Sequence, residues 1–147
     1  MILPDVNVLV YAFRREAADH RRYARWLSDT VEGSELALVE TVLTGFVRVV
    51  TSPRIMTDPA PTQVALQFVD VLRAAPRARP LTPTAATWDR LGAIAQRDPQ
   101  VRGPLVPDAW LAALGLSHGC RVATADRGFA RFDGLDWFVP VPPGSGR

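Results

Sequence analysis

Four carboxylates sit where apolar stretches of this chain change character. Asp5 follows the apolar Ile2-Leu3-Pro4 and precedes VNVLVYAF. Glu40 comes directly after ELALV, Asp108 follows Pro107 and opens AWLAALGLSHG, and Asp126 closes RVATA. Taken singly, Asp108 and Asp126 read as helix caps, since an acidic residue at a helix start answers orphan N–H groups and suits the helix dipole, worth about 0.5–2 kcal/mol. Glu40 is a poor cap but a favourable first-turn residue. Asp5 is least comfortable as a plain cap, because the segments on both sides of it are apolar enough to be buried. Brought together, such carboxylates repel one another and raise each other's pKa unless a cation neutralises them.

The chain contains no lysine to neutralise them, and Arg127 is the arginine that adjoins Asp126. A divalent cation is the economical neutraliser. All-oxygen ligation suits Mg²⁺ or Mn²⁺. Zinc would want a Cys/His cluster, whereas the chain offers one cysteine and two histidines, His20 and His118, both read as structural residues on helix surfaces. Neither a GxGxxG nor a Walker pattern is present to cradle a nucleotide. A carboxylate-held cation without such a loop points to phosphodiester hydrolysis, where it would acidify a bound water and offset charge on the leaving oxygen.

The elements that must position these groups alternate. A strand over residues 1–4 leads to a short buried helix over 6–13. Asp19 is an N-cap for a helix running to about residue 30. A strand follows at 35–39, and Val42, Phe46, Val47 and Val50 recur at helical spacing over 40–51. Further helices are expected at 62–74, 84–97 and 107–118, the last ended by Gly119 at C′. Strands are expected at 79–82 (weakly), 121–124 and 137–139, with a turn or short helix at 128–132. Strands alternating with helices imply an α/β fold whose mainly parallel central sheet is flanked by helices. Sites in such folds form at the carboxyl ends of the strands, which is where Asp5 and Asp126 fall.

Length and composition set the frame. At 147 residues the chain is read as one domain over 1–140, with a Pro- and Gly-rich tail, 141–147, expected to be flexible. Hydrophobic content of 48% with 22% charged residues is ordinary for a soluble domain. No apolar run reaches membrane-spanning length, and no signal peptide is read, so no membrane role and a cytoplasmic location are expected. The lone Cys120, set against an apolar strand, reads as a small core residue and suits a reducing compartment. A net charge of +2 argues little about nucleic acid, but the arginines bunch at 14, 15, 21, 22 and 25. That run is either a solvated helix face or a phosphate-binding surface.

The stretches PDVNVLVYAF, GFVRVVTSPRI and PDAWLAALGLSHGCRVATADRGFARFDGLDW resemble, in order and over nearly the whole chain, the PIN-domain toxins of the VapC type. The resemblance implies a PIN-like three-layer sandwich and a Mg²⁺-dependent endoribonuclease, with Mn²⁺ as a substitute. It implies the toxin half of a toxin–antitoxin pair, a homodimer held in check by a small cognate antitoxin whose C-terminal segment crosses the site. Asp5, Asp108 and Asp126 match the acidic metal-site positions of the family. The family usually carries its further Glu deeper in the third helix, near Thr44-Gly45 here. Either Glu40 reaches the same metal from a shifted position as ligand or base, or water replaces that ligand. Asn7 and Thr124 match polar positions that line such sites, and Arg14, Arg15 and Arg127 are placed at the rim to hold the RNA backbone.

Two other classes stand against this. The DVNVLV stretch faintly resembles haloacid-dehalogenase-type phosphatases, and an acidic strand-end pocket is also the mark of phosphoreceiver domains; both need a lysine that this chain lacks. A non-catalytic PIN-like module that binds RNA or protein is the alternative within the same fold.

Overall fold

The computed structural model describes residues 1–144. Five strands form one sheet: β1 (Ile2–Pro4), β2 (Leu36–Leu38), β3 (Ala78–Pro80), β4 (Arg121–Ala123) and β5 (Trp137–Phe138). Six helices connect them: α1 (Val6–Phe13), α2 (His20–Gly33), α3 (Glu40–Thr51), α4 (Thr62–Arg73), α5 (Ala85–Arg97) and α6 (Val106–His118). All four strand pairings are parallel, in the order β3-β2-β1-β4-β5, so the expectation of a mainly parallel sheet is met in full.

This order places the site. From β1 the chain builds outward through β2 and β3 on one side and returns to add β4 and β5 on the other. The crevice between the carboxyl ends of β1 and β4 is therefore the topological switch point, where open parallel sheets bind ligands. The register Ile2↔Arg121, Leu3↔Val122, Pro4↔Ala123 brings the residues after Pro4 and after Ala123 side by side. The pairing of β1 with β2 stops at Ile2↔Leu36, ahead of Pro4, which has no N–H to extend it.

Leu3, Leu9, Leu36, Leu114, Phe46 and Phe129 are fully buried and form the centre of the core. Helix α1 packs on α2 and α3, α3 on α4, and α5 on α6. Phe46 lies 5.3 Å from Phe13 and 4.9 Å from Phe68, which locks α1, α3 and α4 together through aromatic contacts. Gly119 ends α6 with φ 65°, the left-handed cap its position suggested.

Some boundaries differ from expectation. Helix α2 continues to Gly33, and β3 starts one residue early, at Ala78, because its register is set by pairing with Leu36 of β2. A 3-10 turn at Gly103–Leu105 leads into α6 and was not anticipated. Val141, at the start of the Pro-rich tail, packs into the core, and the Pro142 carbonyl accepts from Arg22 Nη2 at 3.2 Å. Residues 145–147 lie outside the described residues. Among those described, no helix is long and apolar enough to cross a membrane.

Candidate active site

Asp5 leaves the end of β1 and caps α1: its Oδ1 accepts from the Val6 N–H at 2.7 Å. Its Oδ2 accepts from the Thr124 hydroxyl at 2.7 Å and from Asn7 Nδ2 at 3.2 Å. It is a helix cap, but one with only 9% of its surface exposed. Burial pushes its pKa up, against the three hydrogen bonds that pull it down, and the neighbouring Asp126 charge pushes it up further.

Thr124 and Asn7 stitch the two strand ends together. Thr124, fully buried, follows β4 and also accepts the Asp126 N–H at 3.0 Å. Asn7 Nδ2 reaches Thr124 Oγ1 at 3.3 Å, while Asn7 Oδ1 accepts the Ala125 N–H at 3.1 Å. Both polar positions thus serve the orientation of Asp5 and of the chain that carries Asp126. Asp126 is exposed and caps a 3-10 turn at Arg127–Arg131, its Oδ1 accepting from Gly128 N at 2.8 Å. A side chain at Gly128 would put a Cβ 2.9 Å from that same oxygen, so glycine is what lets the carboxylate close on the turn. Asp126 Oδ2 points to no hydrogen-bond donor among the described residues, which leaves it open to a ligand.

Asp108 enters from the first turn of α6. Its pKa is raised to about 6, first by burial and then by the charges of Asp5 and Asp126, with Arg131 pulling the other way. Three aspartates from three separate segments therefore share one electrostatic field. They do not form a closed cage: among the described residues no three acidic, histidine or cysteine side chains converge tightly enough to hold a metal unaided. The donor chemistry nonetheless fits Mg²⁺, which keeps several of its waters and takes only one or two carboxylates directly.

The fourth carboxylate stands apart. Glu40 is exposed at the start of α3 and contributes to the shift of neither Asp5 nor Asp108. Its backbone carbonyl accepts from the Thr44 hydroxyl at 2.7 Å. Gly45, one residue on, faces α1: a Cβ there would lie 3.1 Å from Val6 Cγ2, next in sequence to Asp5. Where α3 meets the start of α1, it therefore carries no carboxylate.

The arginines divide. Arg15 and Arg127 are exposed. The Arg14 side chain is only 12% exposed, with Nη1 on the Asp58 carbonyl at 2.7 Å and Nη2 on Glu16 at 2.8 Å, so it pins the loop after α3. Arg131 is the residue the sequence reading passed over. It pairs with Asp98 at 3.0 Å and Gln100 at 2.9 Å while its charge acts on Asp108. Its position five residues after Asp126, in the same short motif, was the available signal. His20 and His118 are structural, each ring nitrogen lying 3.0 Å from a backbone carbonyl, of Tyr11 and Thr82.

Comparison with known proteins gives the family. The PIN domain model matches residues 2–135. Ribonuclease VapC43 of Mycobacterium tuberculosis is 42% identical over 142 residues, covering 96% of each chain. Ribonuclease VapC33 of the same organism is 34% identical over 151 residues, covering 96% of this chain and 99% of the relative. Among solved structures, the fold matches VapBC2 from Rickettsia felis, bound to a DNA fragment from its promoter, with a TM-score of 0.70 at 16% identity, over 95% of this chain and 98% of that one. The chain thus belongs to the PIN-domain family, among its VapC-type members.

Proposed function

We propose that this chain is a Mg²⁺-dependent endoribonuclease, the toxin of a toxin–antitoxin pair. The observation that carries the reading is the meeting of Asp5, Asp108 and Asp126 near the switch point, where the charge of Asp126 pushes up the pKa of Asp5, and the charges of Asp5 and Asp126 push up that of Asp108. The ribonuclease names of the relatives and the family support the same activity.

Asp5 and Asp126 would hold the cation, directly or through water, and Asp108 would complete the site. When bound, the divalent ion supplies charge stabilisation to the scissile phosphodiester and acidifies water beside it. Thr124 and Asn7 hold Asp5 Oδ2 in place through their hydrogen bonds. From the first turn of α6, Asp108 would also orient the attacking water. Arg127, next to Asp126 in the chain, and the exposed Arg15 would hold the RNA backbone. Glu40 lies outside the coupled group, so water in place of a fourth ligand is the reading its position supports. The VapBC complex among the structural neighbours supports an antitoxin partner, whose terminal segment would close the acidic pocket. Trp88, 64% exposed beside Trp110, and the outward Val64, Leu66 and Val71 of α4 offer apolar surface to such a partner or to a second copy of the chain.

The open arrangement of the three carboxylates favours a second reading, a PIN-like binding module without catalysis. A Mn²⁺ titration followed by calorimetry separates the two. The nuclease binds Mn²⁺ with an affinity lost in Asp5→Asn; the binding module shows no such dependence.

A further inference from the structure

Tyr11 lies one helical turn beyond Asn7 on α1, so the two share a face, with side chains about 5–6 Å apart at their bases. Asn7 faces the carboxylates; Tyr11 looks into a cleft of about 370 Å³ beside them. That volume falls within the range of small-ligand sites, about 300–1,000 Å³. Tyr23, buried, backs the Tyr11 ring at 5.1 Å, and Tyr11 keeps 38% of its surface exposed. Ala125 and Arg127, the two neighbours of Asp126, line the same cleft, together with the apolar Val139 and Val141. Past Asp19 the surface continues into a second hollow edged by Arg15, Arg21 and Arg22.

We propose that Tyr11 and Arg127 form a nucleobase subsite next to the carboxylates, which takes one unstacked base of a single-stranded RNA. The proposal rests on the nuclease reading for the identity of the strand. An aromatic face flanked by cations is the arrangement that binds single strands: the ring stacks on any base, and the arginines follow the phosphates. A peptide would fit the apolar lining equally well but would not need Arg127 in the same cleft as the ring and further exposed arginines in the adjoining hollow. The α1 spacing sets the base one short step from the carboxylates, so the phosphate next to that base falls at the acidic crevice. Tyr11 is a binding residue here, and it selects for unpaired strands, because a base inside a duplex has no free face to offer.

The test measures binding of two fluorescein-labelled 12-mers to the full chain, with Ca²⁺ replacing Mg²⁺ and strand integrity checked afterwards. One is oligouridine; the other is the same backbone made fully abasic. Tyr11→Ala is expected to weaken oligouridine binding by about 5- to 150-fold, the range for loss of one stacked base. Tyr11→Phe, which keeps the ring, stays within about twofold of the wild type, and guards against a folding defect. On the abasic strand the three proteins bind alike. Arg127→Gln weakens both strands. Oligouridine binding by Tyr11→Ala within twofold of the wild type overturns the proposal and leaves the cleft to a peptide partner. A Tyr11→Ala loss of equal size on the abasic strand overturns it too, as does failure of the wild type to bind either strand. Cleavage of mixed RNA by the wild type, assayed separately, reports on the nuclease reading whichever way the binding falls.

Discussion

The Thr124 hydroxyl donates to Asp5 Oδ2 at 2.7 Å across 119 positions of sequence, and Thr124 Oγ1 itself accepts the Asp126 N–H at 3.0 Å. One buried atom thus fixes two of the three acidic residues. It exists because β1 and β4 are neighbours in register, with Pro4 opposite Ala123, so that the next residue of each chain meets the other.

Thr124→Val keeps the shape and removes that atom. The Asp126 N–H then loses its acceptor and Asp5 one donor, a cost of about 1–3 kcal/mol in stability. Loss of the orienting bond to a ligand carboxylate is expected to lower RNA cleavage by about 10–100-fold. Thr124→Ser should retain most of both. Denaturant midpoints and single-turnover cleavage rates, measured on the two variants, check this.

Asp108 makes the metal-free protein sensitive to base. Its pKa is raised from 3.8 to about 6 in the fold, so between these values the folded state binds more protons than the unfolded one. The favourable contribution is complete below about 4 and is lost as pH rises through about 6. Chelated wild-type protein should therefore have a lower Tm at pH 8 than Asp108→Asn, and the gap should narrow at pH 5. Mg²⁺ should restore the wild type at pH 8 and do less at pH 5, where Asp108 is largely protonated. Thermal melts at the two pH values, with and without Mg²⁺, measure all four cases.

Much of this was legible in the sequence, and for local reasons. Strand and helix order follow from apolar runs and caps that lie next to each other in the chain. Asp5 and Asp126 could be placed because a strand end is visible locally and parallel sheets put sites there. What escaped depends on distant contacts. Arg14 looks like a free cation until the loop after α3 folds back and offers the Asp58 carbonyl. Arg131 looks like surface charge until Asp98 and Gln100, about thirty residues earlier, hold it beside Asp108. Glu40 shares the sheet edge in sequence terms, yet the start of α3 leaves it exposed and outside the field of the three aspartates.

Glu40 and Asp108 accordingly separate in function. Glu40→Gln should cut RNA within about threefold of the wild type, since it changes an exposed side chain away from the coupled group. Asp108→Asn should lose about 10²-fold or more, the scale of removing a group that acts on developing charge in a site. A rate comparison at saturating Mg²⁺ decides it; equal losses in both variants would restore Glu40 to the site.

The most direct measurement is cleavage of a mixed RNA by the purified, partner-free chain in Mg²⁺, in Mn²⁺ and in chelator, with Asp5→Asn and Asp126→Asn run alongside after their folds are checked by circular dichroism. The account predicts cleavage that needs the metal and is lost in both variants. Metal-dependent cleavage by the wild type that survives in both folded variants would contradict it, because the two strand-end carboxylates would then not be the groups that hold the cation.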